Sequence, residues 1–297
     1  MNKNLVKIAI TAGIVWAGIA ATPQVQRVSA AEYLSGAQAP AVYSVQYSAE
    51  AEDPVGEVKN GFVEEDGGTR YYVEGVAVKG VRVIDDAKYF FDYSSGFMTR
   101  NSFAVIGNSR YYFGDDGKRA EEVSSKMPAG TTYVIKVYKG SNTVTAYAKD
   151  GSKGYIIPVR TMICSTGNDT PTGEFHTPNK FRWLELMGPC WGQWDTQIMG
   201  NYLFHSVYYL SKNDNNTLSV SAYNKLGTTC SHGCIRLTSG DAKWIYDNCV
   251  LGTTVIITAK AEKGPFDKPT AYKLASWHTW DPTDPNMYYK CKQRGCH

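Results

Sequence analysis

From Gly61 to Ile163 the chain is a succession of short aromatic or β-branched runs, each followed by Gly, Asp or Asn. Runs of this length, separated by turn residues, form β-hairpins; consecutive hairpins make antiparallel sheets or barrels rather than βαβ units. In the first half of the stretch, Arg70-Tyr71-Tyr72-Val73 precedes Gly75, Lys88-Tyr89-Phe90-Phe91-Asp92 precedes Gly96, and Arg110-Tyr111-Tyr112-Phe113 precedes Gly117. The clusters recur after 18 and then 22 residues. Each reads as one side of a hairpin, and units of about 20 residues gain stability by stacking on their neighbours. The abundance of Tyr, 21 residues in all, fits strands better than long helices.

A second unit begins near Thr131. Residues 133–138 and 143–148 are β-branched runs joined by Lys139-Gly140-Ser141-Asn142, and residues 155–163 supply a third strand after the turn at Asp150-Gly151. One helix is clear. Thr238 or Ser239 caps it, Asp241 lies in its first turn, residues 242–249 fill it, and Gly252 ends it. Residues 254–258 return to strand, and the Pro-rich residues 259–297 read as an irregular tail. The expected fold is therefore mainly β: a small hairpin-repeat domain over 57–122, then a β-sandwich or barrel over 131–258 with one clear helix. A length of 297 residues suits two such units.

The chain opens with Lys3 and Lys7, the apolar run of residues 8–21, and Val28-Ser29-Ala30. This is the pattern of a secretory signal over 1–30, and the apolar run is too short for a comfortable bilayer span. A small, polar, aperiodic stretch over 31–56 reads as a linker. The formal charge of +3 comes from the first thirty residues; beyond them 28 basic residues balance 28 acidic ones. A nucleic-acid binder would carry a basic footprint, so that class is excluded. The expectation is an exported protein with no membrane association once the signal is cleaved.

The chemistry concentrates in Thr229-Cys230-Ser231-His232-Gly233-Cys234-Ile235-Arg236-Leu237. A cysteine is mostly a thiol at neutral pH, and a nearby imidazole can draw off its proton. Gly233 lets a substrate backbone approach and lets amides turn towards one point, where they can hold an oxyanion. A second histidine, His205, ends the strand-like run Tyr202-Leu203-Phe204. Cys230, His232 and Cys234 also alternate as a zinc site might, but one-residue gaps splay poorly around one ion, so no metal is expected there.

Ser231-His232-Gly233-Cys234-Ile235-Arg236, preceded by His205-Ser206, strongly resembles the signature of the L,D-transpeptidases, the YkuD-type catalytic domain of bacterial cell walls. Thr170-Pro171-Thr172-Gly173-Glu174-Phe175 after Ser165-Thr166-Gly167, together with Gly192-Gln193-Trp194 and Asp241-Ala242-Lys243-Trp244-Ile245-Tyr246, extends the resemblance over about residues 131–258. The resemblance implies a YkuD-like β fold, acyl transfer between peptidoglycan stem peptides as donor and acceptor, and no cofactor. Matched motif to motif, Cys234 is the nucleophile and His205 the base, with the Ser206 backbone orienting the imidazole. His232 and Gly233 shape the oxyanion site, Arg236 supports the site or meets a substrate carboxylate, and Ser231 contacts substrate. Hydrolysis, as in an L,D-carboxypeptidase or endopeptidase, and a non-catalytic wall-binding role are the alternatives. The hairpins over 57–122 resemble cell-wall-binding repeats, which implies a glycan partner or a spacer, although the segment lacks Trp. Twenty-five residues separate His205 from Ser231, and the polar residues 211–217 among them suggest a long loop over the cleft.

Seven cysteines are an odd number. In an oxidising compartment either one thiol is left free or one pairs with another molecule. The expectation is Cys234 free and readily alkylated, with bridges Cys291–Cys296, Cys190–Cys230 and Cys164–Cys249.

Overall fold

The computed structural model describes residues 58–258 and 264–296. The expected signal and linker, residue 57, residues 259–263 of the tail and His297 lie outside the described residues. No helix among the described residues is long and apolar enough to cross a membrane.

Each aromatic cluster forms the second strand of a hairpin. β1 (Gly61–Glu65) pairs with β2 (Gly68–Val73), to which β3 (Val76–Ala77) is added. β4 (Gly80–Ile84) pairs with β5 (Ala87–Phe91), and β6 (Ser102–Ile106) with β7 (Ser109–Phe113). The segment after a hairpin reaches back to the previous one: Met98 N donates to Thr69 O at 2.8 Å and Arg119 N to Lys88 O at 2.7 Å. Rings of successive hairpins meet accordingly, Phe62 with Tyr89 at 5.3 Å and Phe90 with Phe113 at 6.1 Å between centroids. Stacking thus supplies the core that a single hairpin of this size lacks.

The second half forms two facing sheets. One has the order β10-β9-β8-β16-β11, made of β8 (Tyr133–Tyr138), β9 (Thr143–Lys149), β10 (Tyr155–Ile163), β11 (Gly173–His176) and β16 (Thr254–Thr258). The other has the order β12-β13-β14-β15, made of β12 (Lys180–Glu185), β13 (Trp191–Met199), β14 (Tyr202–Ser206) and β15 (Ile235–Leu237). The fold is mainly β, as the pattern of runs predicts. The sheets are mixed rather than antiparallel throughout, because β16 runs parallel to β8 and β14 parallel to β15. A parallel neighbour cannot be reached by a tight turn, and residues 207–234 make the crossover from β14 to β15.

The core lies between the sheets. Ile135, Val144 and Val159 from one face meet Phe204, Ile235 and Leu237 from the other, with Ile245 of α2 (Ser239–Asn248) closing the end. All of these are fully buried, and each such side chain stabilises the fold by about 1.5–3 kcal/mol. Phe103 and Tyr112 of the last hairpin pack against this core, and Arg110 pairs with Asp150 at 2.5 Å.

Thr238 caps α2 by accepting the Asp241 amide at 3.2 Å. Two further short α-helices occur among the described residues, α1 (Val220–Tyr223) and α3 (Tyr288–Arg294). The tail is therefore not irregular throughout, and it is docked. Asp281 accepts the Ser239 amide at 2.7 Å and Thr283 the Gly240 amide at 2.9 Å, satisfying donors that the start of a helix leaves without partners.

None of the three expected disulfides is formed; all seven cysteines are thiols. Cys164 ends β10 and is tied through its amide to Asn142, whereas Cys249 caps the far end of α2. Cys190 and Cys230 direct their thiols to Met187 O and Lys225 O.

Candidate active site

The parallel pairing of β14 with β15 sets the site. His205 lies opposite Arg236, and Cys234 is two residues before Arg236, so the pleat turns all three side chains to one face. Phe204, Ser206, Ile235 and Leu237 take the opposite face and are buried. The alternation that fills the core therefore also exposes the thiol beside the imidazole.

This face opens into a cleft of about 1140 Å³ lined by Cys234, His205, Arg236, Ser231, His232 and Gly233. The structure thus brings six of the seven sequence-derived candidates together at one surface. The seventh, Ser206, lies behind it: its carbonyl is 2.6 Å from His205 Nδ1. A carbonyl can only accept, so Nδ1 carries the proton and Nε2 presents its lone pair. His205 is 2% exposed, whereas His232 is solvent-exposed.

Burial governs the protonation states. It lowers His205 to about 4, helped by the positive charge of Arg236 and opposed by the Ser206 carbonyl. It raises the Cys234 thiol, against the downward pull of the Leu203 backbone and Arg236. At neutral pH the cleft thus presents a thiol and a neutral imidazole. They do not form a preformed ion pair.

The loop carrying Cys234 is held from below. Cys230 N and Ser231 N both donate to Thr166 O, at 2.9 and 3.1 Å. Thr170 Oγ1 donates to Gly233 O at 2.7 Å and accepts the Gly167 amide at 2.8 Å. Ser231 Oγ donates to Cys234 O at 2.6 Å and accepts the Gly233 amide at 3.1 Å. Ser231 is thus a brace within the loop, and the Gly233 amide is already engaged. Any side chain at Gly167 would collide, since a Cβ there would lie 2.4 Å from Ser231 O. At Gly233, with φ near +156°, a Cβ would lie 2.6 Å from the Tyr202 ring.

Arg236 leans over the Tyr208 ring at 5.5 Å, and its Nη1 approaches Cys230 O at 3.4 Å. Residues 211–217 do not cover the cleft. Asn215 hydrogen-bonds Asp284 and Asn216 bonds Lys290, so the loop packs on the C-terminal tail. Residues of the β12–β13 connection, among them Met187, Pro189 and Cys190, form the cleft wall instead. With no disulfides, Cys190, Cys230 and Cys296 are half-buried thiols like Cys234. Exposure therefore does not make Cys234 the single alkylation site.

Two groups near the site have roles that the sequence reading did not assign, although Gln193 lies within the Gly192-Gln193-Trp194 motif. Asp195 is 0% exposed, and no side chain hydrogen-bonds to either of its carboxyl oxygens. A Cβ at Gly192 would lie 2.2 Å from Asp195 Oδ1 and 3.1 Å from His205 Cβ, so the missing side chain makes room for this carboxyl behind the imidazole. Trp194, with φ of +60°, marks the irregular strand backbone just before Asp195. Burial pushes Asp195 up to about 8 against the pull of backbone amides and Arg182. The second group is Gln193, whose Nε2 lies within 2.8–3.0 Å of Tyr209, Ser239 and Asp284. The available signal was an acid inside the otherwise uncharged strand 191–199.

Residues 132–257 match the YkuD family, the L,D-transpeptidase catalytic domain. The match is confined to this segment, which is less than half of the chain. The chain is also 38% identical over 125 residues to the Bacillus subtilis (strain 168) protein named "Putative L,D-transpeptidase YciB", covering 38% of this chain and 60% of that protein. The chain thus spans under two thirds of the curated relative it matches. Among solved structures it is similar to an L,D-transpeptidase from Mycobacterium smegmatis, with 21% identity, 44% and 60% of the two chains covered and a TM-score of 0.35. Another is an L,D-transpeptidase from Mycobacterium tuberculosis H37Rv, with 22% identity, 43% and 58% covered and a TM-score of 0.34.

Proposed function

We propose that the protein is an exported, cysteine-dependent peptidoglycan L,D-transpeptidase that forms 3→3 cross-links. The observation that carries this reading is the placement of Cys234, His205 and Arg236 on one pleated face of a YkuD domain, with the His205 tautomer set by the Ser206 carbonyl. The Cys234 sulfur attacks the carbonyl carbon of the third stem residue while His205 Nε2 takes its proton. Because the free pair is neutral, proton transfer accompanies the attack. The C–N bond to the terminal D-alanine then breaks, and the imidazolium returns the proton to the leaving amine. An amine of a neighbouring stem attacks the thioester, His205 takes its proton, and the thiol is regenerated. No metal or organic cofactor enters this scheme.

Arg236 supplies positive charge that favours the thiolate as it forms and can meet a substrate carboxylate. With the Gly233 amide held by Ser231, the loop's contribution to an oxyanion site falls to its neighbouring amides. The stacked hairpins serve to hold the domain against wall glycan outside the cell.

Incubation of the mature protein with disaccharide-tetrapeptides, followed by mass spectrometry, tests the reading. Cross-linked dimers are the expected product. Tripeptides alone would assign hydrolysis, and unchanged substrate would leave a wall-binding role.

A further inference from the structure

The C-terminal tail is held at its far end by a very small apolar cluster, Trp280, Met287 and Cys291 with Cys296 against them. Within this cluster one ring nitrogen of His278 and the sulfurs of Cys291 and Cys296 all lie within 4.8 Å of one another. His278 and Cys291 are buried and Cys296 is half-buried. None of the three lines the catalytic cleft. We propose that His278, Cys291 and Cys296 form a zinc-class metal site that folds the end of the tail back on itself.

Ligand identity, local backbone and supporting hydrogen bonds all favour this reading. Two thiols and an imidazole suit a borderline-soft divalent ion such as zinc, whereas magnesium and calcium take oxygen donors. Zinc–sulfur and zinc–nitrogen bonds of about 2.3 and 2.0 Å place ligand atoms about 3.5 Å apart, a contraction within reach of side-chain rotation. The backbone prepares the approach: Gly295, with φ of +60°, ends α3, and Cys296 N returns to Cys291 O at 3.2 Å. The chain thereby doubles back so that Cys296 faces Cys291.

The surrounding groups are those that orient metal ligands. His278 Nδ1 is 3.0 Å from the Trp280 carbonyl, which fixes the proton on Nδ1 and makes Nε2 the nitrogen able to ligate an ion. Trp280 Nε1 donates to Cys291 Sγ at 3.1 Å, a bond that strengthens when the sulfur is a thiolate. Lys290 lies 4.9 Å from the centre of the Trp280 ring that donates to Cys291. On binding, both thiols release their protons to solvent and a water completes the tetrahedron. The consequence is structural. The same tail carries Asp281 and Thr283, which cap α2, and Asp284, which bonds Gln193.

The test uses the full chain with Cys234→Ala as background, so that the cleft thiol does not contribute. The protein is reduced, freed of metal, equilibrated with zinc chloride and assayed by elemental mass spectrometry. About one zinc per chain is expected, with affinity at least 10-fold weaker in Cys296→Ser and in His278→Gln and unchanged in Cys230→Ser. Cobalt substitution should give thiolate charge-transfer absorption that disappears in Cys296→Ser, and a chelator should lower Tm in the background protein but not in that variant. Equal zinc binding by the background protein and Cys296→Ser would overturn the site. So would a Cys291–Cys296 disulfide in the exported protein combined with no zinc uptake after reduction.

Discussion

The Thr170 hydroxyl lies 2.7 Å from the Gly233 carbonyl oxygen and ties the first strand-proximal motif of the domain to the loop that presents Cys234. Thr170 is 3% exposed, and its hydroxyl oxygen accepts the Gly167 amide. Replacing it with the isosteric Val leaves a buried amide and carbonyl without this partner. The cost is roughly 1–3 kcal/mol. Thr170→Val should therefore lower both Tm and kcat, with KM changing less than kcat. Unchanged kcat would show that the clamp does not position the nucleophile.

Cys234→Ala should abolish turnover and acyl-enzyme formation, read as loss of the thioester mass adduct, while the melting curve stays near wild type. His205→Ala should lower kcat by roughly 10²–10⁴, the usual worth of a positioned general base. His232→Ala, removing an exposed ring, should cost less. The opposite ranking of the two histidines would transfer the base role to His232.

Asp195 gives a pH signature. Its carboxyl titrates near 8 when folded, against about 3.9 in the unfolded chain. The folded state therefore holds the extra proton, and this contribution to stability, full below about 3.9, is lost as pH rises through 8. Asp195→Asn removes the titration. The variant should gain Tm relative to wild type between pH 6.5 and 9. Parallel Tm curves over that range would contradict a buried acid behind His205.

His205 acts with the opposite sign. Its folded value near 4 lies below the unfolded value of about 6.5, so the unfolded chain binds the proton first as pH falls. Stability is lost between about pH 6.5 and 4, and His205→Gln should flatten the Tm profile there. A slope unchanged by that substitution would place the imidazole in water.

A chain beginning at Ser124 should bind whole walls more weakly than the full chain. It should also melt lower, because Phe103 and Tyr112 would no longer cover the core and the Arg110–Asp150 pair would be lost. Activity on soluble fragments at a temperature below the new Tm separates the two effects. Unchanged wall retention would reduce the hairpins to a spacer.

Local pattern was sufficient for much of this molecule. The runs at 133–138, 143–148 and 155–163 became β8, β9 and β10, because alternation and short turns act over a few residues. The same is true of the start of α2, whose cap at Thr238 is written beside it, whereas the helix ends at Asn248, ahead of the expected stop at Gly252. The chemistry-bearing segment 229–237 could be read for the same reason, since its residues lie within one loop and strand.

What needed the tertiary structure is whatever depends on residues far apart in the chain. The parallel registers of β14 with β15 and β8 with β16 involve crossovers that no local turn signal specifies. Asp195 looks like an ordinary acid until the packing removes its water and Gly192 opens a space for it behind His205. The tail's prolines predict an irregular segment, yet Asp281 and Thr283 find the bare amides at the start of α2 only after both have folded. Sequence alone names the thiol, the imidazoles and the strands that carry them. Folding determines which polar groups lose water and which find partners, because desolvation and hydrogen bonding depend on neighbours in space rather than along the chain.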